Sequence, residues 1–422
     1  MSDRIPCRTP GCEHRILLST AERNDGFCMP CVQAAARKAH DEHVRLNRRD
    51  VDAFAGVSDP VEVLKIMHLP RVTDPLINPV PYPEPAESLY VRLDMEGQRR
   101  LAEHAEALLG TAHHDDAEDI VLCLAAFTDA PLDSCLRALV AEGDAWPSLP
   151  FRRASPGLRD DLIALLDRDG VNRDHLLLAL AWIGDAVVVD LFQGWRAQPP
   201  AWAGTLYLAP QDYAREAGWE LDEDDRRRPL YFDACTQLVP GASDRSTGFM
   251  AVTDRDDTCP CCSRRLTNLF ELDPSAFGLG DWAGAGRMLQ VATCEVCTAF
   301  GTVWGAFDEQ GRWRWHAANP MPGHPPGDAQ DWAWLPRNPL VPAAKRTPWF
   351  AADDFLPTTF SQVGGQPTWV QDASHPVCPD CSKTMRFLAQ LDHADIEAHS
   401  EGIFYAFVCM GCRTTATMYQ QT

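Results

Sequence analysis

Two cysteine knuckles near the C-terminus, Cys378-Pro-Asp-Cys381 and Cys409-Met-Gly-Cys412, constrain this chain more than any other feature. Cys-x-x-Cys pairs on neighbouring hairpins bring four thiolates within tetrahedral reach of one ion, which is the pattern of a structural zinc ribbon. Upstream, Cys259-Pro-Cys-Cys262 and Cys294-Glu-Val-Cys297 bracket a similar hydrophobic stretch. Aligned without a gap, Cys259–Asp273 and Cys378–Asp392 have ten positions identical or chemically alike, so the C-terminal half reads as an internal repeat.

Cys7, Cys12, Cys28 and Cys31 form a third candidate set, whose first pair has a four-residue gap in place of two. Gly11 and Gly26 stand where tight turns beside these cysteines need them. The sequence therefore predicts three Zn2+ ions on twelve cysteines, each site closed by four ligands and so structural rather than catalytic. Cys261 sits inside a knuckle and could compete as a ligand, but the repeat alignment favours Cys259 and Cys262. Cys123 and Cys135 have apolar neighbours and read as small core residues.

A chain of 422 residues with 45% hydrophobic content is long enough for two to four domains. No apolar run approaches the ~18 residues of a membrane span, and the N-terminus lacks the basic-then-apolar pattern of a secretory signal. Paired, reduced thiols in a chain of this size point to the cytoplasm. The formal charge is −22, and the first fifty residues carry nine Lys and Arg against seven Asp and Glu, while the other 372 carry 29 against 53. Each four-thiolate zinc centre would add two more negative charges. Such a field repels phosphate backbones and draws in basic proteins, which argues against nucleic acid as partner of the main body.

In chain order, residues 1–50 read as a zinc finger with a following helix, and 51–93 as a proline-rich connector whose densest part, 69–86, is extended. Residues 94–220 have three- and four-residue apolar spacing and well-marked caps, including Ser155-Pro156. Within them Leu180–Leu191 resembles the HEAT-repeat consensus, with one helix closing at Ile183-Gly184 and the next capped by Asp185, so a HEAT-like helical domain is expected. His113-His114-Asp115-Asp116 reads as a cap and polar turn, the helix starting at Asp115 or Asp116. Trp202, Tyr207, Tyr213 and Trp219 read as packing between modules, or, for two or three of them, as exposed anchors for a partner. Residues 221–345 and 346–422 are the two ribbon repeats, joined by an ordered strap that includes Trp332, Trp334, Pro336, Pro339 and Pro342. The expected fold class is α+β.

Val363-Gly-Gly-Gln-Pro-Thr-Trp-Val370, the two C-terminal knuckles, Met385–Leu391 and Phe404–Cys412 together resemble the programmed-cell-death-two family and its bacterial zinc-ribbon relatives, over about fifty residues. The resemblance implies a small β-rich domain built on the knuckles and a role in stoichiometric protein binding. Eukaryotic members act as chaperones of a ribosomal protein, and bacterial relatives occur as immunity proteins against toxins. The first repeat has no Gly-Gly-x-Pro-x-Trp before Cys259. No phosphate loop, His-Glu-x-x-His helix, Gly-x-Ser-x-Gly elbow or dinucleotide fingerprint occurs, so no enzyme activity is expected. The sequence thus points to a cytoplasmic immunity protein that captures a basic toxin. Its alternatives are an escort of a basic ribosomal protein and a nucleic-acid-binding regulator acting through the N-terminal finger.

Overall fold

Ile403–Cys409 is apolar at every position, and a strand of that composition belongs between two layers. The computed structural model describes residues 4–421 apart from 71, 72, 142, 144, 243–247, 285, 321–336 and 399. It places this run inside an antiparallel sheet covered on both faces. The fold is α+β and falls into two compact units, Met1–Pro83 and Glu84–Thr422. Trp332, Trp334 and Pro336 of the expected strap lie outside the described residues.

The first unit opens with a hairpin, β1 (Arg4–Pro6) and β2 (Arg15–Leu17), followed by α1 (Leu18–Arg23) and α2 (Met29–Asn47). α2 follows Cys28 at its N-cap, has Pro30 in its first turn and buries none of its residues, so it is a solvated helix. β3 (Arg49–Val51), α3 (Pro60–Met67) and β4 (Ile77–Pro79) follow, with β3 and β4 paired in parallel. The connector expected over 51–93 is thus only partly extended. Asp59 caps α3 by accepting the Val61 N–H at 3.0 Å, and the apolar spacing after it buries Val61, Val63 and Leu64. The later prolines do hold an extended stretch, and β4 lies within it.

The second unit begins with helices α4 (Ala86–Val91), α5 (Met95–Leu108), α6 (His114–Phe127), α7 (Asp133–Ala141), α8 (Pro156–Leu165), α9 (Arg173–Ile183) and α10 (Ala186–Ala197). α5 packs on α6 and α7, and α8 on α9. The caps are those the sequence signals. Ser155 accepts the Leu158 N–H, Gly184 ends α9 at φ +50°, and Asp185 accepts the Val188 N–H at 3.0 Å. α6 starts at His114, slightly ahead of the expected position, with Asp115 and Asp116 in its first turn, where the helix dipole favours them. Trp219 is fully buried, stacked on Phe192 with ring centres 5.6 Å apart, and its indole N–H donates to the Ala181 carbonyl at 2.8 Å. Tyr213 is buried and Trp202 lies edge-on to Trp195, but Tyr207 is 94% exposed.

The strands of the second unit are β5 (Trp219–Leu221), β6 (Arg227–Pro229), β7 (Phe232–Pro240), β8 (Phe249–Thr258), β9 (Arg265–Leu272), β10 (Leu289–Thr293), β11 (Val303–Phe307), β12 (Trp313–Trp315), β13 (Leu340–Arg346), β14 (Gln362–Gly365), β15 (Arg386–Asp392), β16 (Ile403–Cys409) and β17 (Thr414–Gln420). Two one-turn helices interrupt them, α11 (Glu295–Thr298) and α12 (His393–Ile396). An eight-stranded sheet runs β12-β11-β17-β16-β15-β14-β7-β13 beside a three-stranded sheet β10-β9-β8. Alternation along β16 turns Phe404, Ala406 and Val408 into the core shared with the smaller sheet, where they join Phe249, Phe270 and Leu289. Ile403, Tyr405 and Phe407 point into a second core built on Trp369, Met385 and Phe387.

The eight-stranded sheet takes strands from both sides of the 345/346 boundary, so the two repeats share one sheet. β11, which follows the second knuckle of the first repeat, pairs antiparallel with β17, which follows the second knuckle of the other. The Trp313 indole crosses Gly305 of β11, where a Cβ would overlap it, and donates to Thr415 Oγ1 at 3.1 Å. The Gly-Gly-x-Pro-x-Trp turn also has a physical reason. Gly364 and Gly365 sit at φ +71° and +70°, and a Cβ at Gly364 would overlap the Ala234 carbonyl oxygen. This close approach lets Trp369 stack on Tyr405 at 5.0 Å, while the Tyr405 hydroxyl donates to the Thr368 carbonyl at 2.5 Å.

Two carboxylates are enclosed where the helices meet the β-rich part. Burial pushes Glu216 up to about 7, with nearby Asp372 adding to the effect, and pushes Asp353 up to about 6. Glu216 Oε1 accepts the Ala373 N–H at 2.7 Å.

Gly364→Ala is expected to destabilise the second unit by at least about 2 kcal/mol, from left-handed strain plus the carbonyl clash, in chemical denaturation; an unchanged midpoint contradicts the packing described. Between pH 4.5, the ordinary Glu value, and about 7, the folded chain keeps a proton on Glu216 that the unfolded chain releases. Stability therefore falls as pH rises through that window. Glu216→Gln is expected to flatten the slope and stabilise the protein at pH 8 by on the order of 3 kcal/mol. Urea melts at pH 5 and pH 8 decide it, and the same slope in the variant refutes the assignment.

Candidate metal centres

The twelve cysteines singled out above fall into three groups in space: Cys7, Cys12, Cys28, Cys31; Cys259, Cys262, Cys294, Cys297; and Cys378, Cys381, Cys409, Cys412. Within each, all Sγ atoms lie within 4.8 Å of one another. Measured separations include 3.7 Å for Cys12–Cys28, 3.7 Å for Cys259–Cys297, 3.4 Å for Cys262–Cys294 and 3.7 Å for Cys381–Cys409. A tetrahedron with metal–sulfur bonds of about 2.3 Å has edges of roughly 3.8 Å, so these sets have the size of a four-thiolate ion site. Bonded sulfurs would stand about 2.0 Å apart.

Local structure explains how each set converges. In the first, Cys7 and Cys12 flank the turn from β1 towards β2, and Gly11 at φ +78° absorbs the longer spacing. Cys28 caps α2 and Cys31 lies in its first turn. In the second, Cys259 and Cys262 occupy the β8–β9 turn, while Cys294 and Cys297 bracket the start of α11. In the third, Cys378 and Cys381 precede β15, and Cys409 and Cys412 form the β16–β17 turn. The matching knuckles of the two repeats share their backbone. Ser263 and Ser382 each donate N–H to the carbonyl of the first cysteine, at 2.8 and 2.9 Å, and both are left-handed at φ +60° and +58°.

The electrostatics of these groups call for a cation. In the first set, the N–H groups of Thr9 and Cys28 hold the Cys7 thiol down at about 6. In the second, donation from the Cys294 and Cys297 thiols lowers Cys259, and the same contacts push Cys294 and Cys297 up. Contact with Cys381 raises Cys412 in the third. One thiolate in such a group is stabilised at its neighbours' expense. Four at this spacing can ionise together only around a positive ion, and four thiolates then fill its tetrahedral shell.

Cys261 stands outside the second set: its N–H donates to Cys259 Sγ at 3.4 Å and its own Sγ faces the Pro320 carbonyl at 3.6 Å. Cys123 and Cys135 are buried, and burial pushes both thiols up, Cys135 to about 11. Cys235 is likewise buried at about 12. His113 bonds Asp116 at 3.0 Å in an exposed turn, away from the cysteine sets.

Sequence reasoning missed the groups that brace the knuckles. Glu295, between Cys294 and Cys297, receives both Arg337 Nη groups at 2.9 and 2.6 Å and the Thr267 hydroxyl at 2.6 Å. This nearly buried fork fixes the second knuckle of the first repeat. Asp380, inside Cys378-Pro-Asp-Cys381, accepts from Thr414 Oγ1 at 2.7 Å and lies 3.2 Å from His316 Nε2, so it ties the third centre to the end of β12. An acid between the cysteines of a knuckle was the available signal. Arg337, 42 residues from Glu295, gave none.

Metal analysis is expected to return three ions per chain, one per cysteine group. Cys381→Ser or chelation is expected to unfold the C-terminal region, since ion binding in such modules contributes on the order of 10–16 kcal/mol to folding. A thermal melt unmoved by chelator, with ions demonstrably removed, would count against the sites.

No family model matches the chain, and no solved structure matches it. Over 426 residues, covering 100% of both chains, it is 48% identical to a protein of Salmonella typhimurium strain LT2 described as "Uncharacterized protein YpfL". Identity at this level along the full length of both chains places this protein in the YpfL family.

Proposed function

We propose that the protein is a zinc-stapled cytoplasmic binding protein, an immunity factor that neutralises a basic secreted toxin by stoichiometric capture. The observation that carries this reading is the charge of −22, concentrated after residue 50, on a body whose candidate metal sites are closed four-thiolate sets. Zinc is the ion that all-sulfur tetrahedral sets favour, and a full shell leaves it no position for substrate. The ions then act as staples that hold rigid surfaces, and the anionic field speeds encounter with a cationic protein. The resemblance of the C-terminal region to the programmed-cell-death-two family supports the same mode of action. The HEAT-like helices would offer a concave wall to the partner. The second reading, an escort of a basic ribosomal protein, rests on the same charge and the same resemblance.

The test is co-purification of the full chain from native cells at low salt, with identification of what is retained. The expected outcome is one basic protein at equal stoichiometry, released as ionic strength rises. A toxin supports immunity, and a ribosomal protein supports the escort. Retention of nucleic acid through the first fifty residues would favour the regulator instead, and turnover of a small substrate would overturn the non-catalytic reading.

A further inference from the structure

Away from the thiolate sets, a cavity of about 220 Å³ opens between α9 and the Gly-Gly-x-Pro-x-Trp turn. Three indoles line it, Trp146, Trp182 and Trp369, together with four carboxylates, Glu216, Asp353, Asp354 and Asp372. Its lining includes no Lys, Arg or His. Trp369 is fixed from behind by stacking on Tyr405, and Trp146 packs against His175 at 5.1 Å, so two of the indoles are set before any ligand arrives.

The two inner carboxylates are incompletely satisfied. Glu216 uses Oε1 on the Ala373 N–H, and Asp353 uses Oδ1 on the Phe355 N–H at 3.0 Å. Among the described residues no hydrogen bond reaches the second oxygen of either, and neither oxygen is sealed from solvent. Both residues are part-buried at the cavity wall, where burial disfavours the ionised carboxylate unless a cation or donor reaches it. What this cavity lacks is a positive donor, and indole faces supply the other half of a cation site through their negative quadrupole. The volume is below the roughly 300–1,000 Å³ of sites for larger small molecules, which suits a group the size of one side chain.

We propose that this cavity binds a single organic cation, a guanidinium or alkylammonium group, seated against the indoles with its N–H donors on Glu216 and Asp353. The cation is either the tip of an Arg or Lys side chain on a protein partner or a small free amine. The first source rests on the protein-binding reading above, whereas the site itself does not.

The experiment titrates the full chain, loaded with its metal ions at pH 8 so that the inner carboxylates are ionised, with n-butylguanidinium. Tryptophan fluorescence and calorimetry follow binding, and n-butylurea serves as the neutral isostere. Expected are saturable binding of butylguanidinium and at least about tenfold weaker binding of butylurea. Binding should also weaken at least about tenfold in Asp353→Asn and in Trp182→Ala, each checked for native circular dichroism. Asp353→Asn keeps the shape, so it still tests the site where Trp182→Ala fails to fold. A capped Gly-Arg-Gly peptide separates the sources: binding as tight as butylguanidinium assigns the site to a partner's side chain, and exclusion of the peptide assigns it to a free amine. Equal binding of butylurea, undiminished binding in Asp353→Asn, or no binding of butylguanidinium each overturns the proposal. No partner protein enters the assay, so the cavity and the immunity reading fail independently.

Discussion

Four thiols held within 4.8 Å of one another are the constraint on which the fold depends. They can neither all ionise nor all stay neutral without loss, and a cation between them converts mutual repulsion into four bonds. The consequences spread outward in the second unit. Fixing Cys378 and Cys381 beside Cys409 and Cys412 sets the register of β15, β16 and β17 at one end. Fixing Cys259 and Cys262 beside Cys294 and Cys297 does the same for β8, β9 and β10. The strands then have little freedom in how their alternating apolar faces meet, and the two cores on either side of β16 follow.

The join between the repeats shows why two staples do not make two domains. β11 leaves the second knuckle of its own repeat and completes the sheet of the other by pairing with β17. Thr417 in β17 bonds Thr293 at 2.7 Å, next to the Cys294 ligand position, and Trp313 bonds Thr415. Buried hydroxyls that satisfy one another across the junction would be orphaned by separation, and an orphaned buried polar group costs about 1–3 kcal/mol. Neither repeat can therefore shed its neighbour without exposing an apolar sheet face and leaving those groups unpaired.

What the residues disclosed in advance was local. The thiol spacing, the caps at Ser155 and Asp185 and the end of α9 at Gly184 each rest on a physical signal contained within a few residues. What they hid was non-local. Gly305 carries no mark that an indole eight residues away will cross it, and nothing near Glu295 announces Arg337. α3 was masked by prolines on either side, although Asp59-Pro60 is itself a helix start. The cavity was invisible for the same reason. Its residues come from five separate stretches between positions 146 and 372, and only the assembled fold brings three indoles and four carboxylates together.

Charge links these levels. A divalent ion in each four-thiolate set would leave two further negative charges on a chain already at −22, so ions that staple the fold would also deepen the field around it. Much of the positive charge is spent internally: Arg337 on Glu295, Arg228 on Glu220, and Arg159 on Asp160 and Asp185. Acidic residues outnumber basic ones by 60 to 38, and the resulting self-repulsion opposes the compact state. A basic partner would relieve that repulsion as it binds, and so would a single cation in the indole-lined cavity. On this argument the acidity that weakens the isolated fold is the same term that would drive association, and salt should weaken binding while it steadies the free protein.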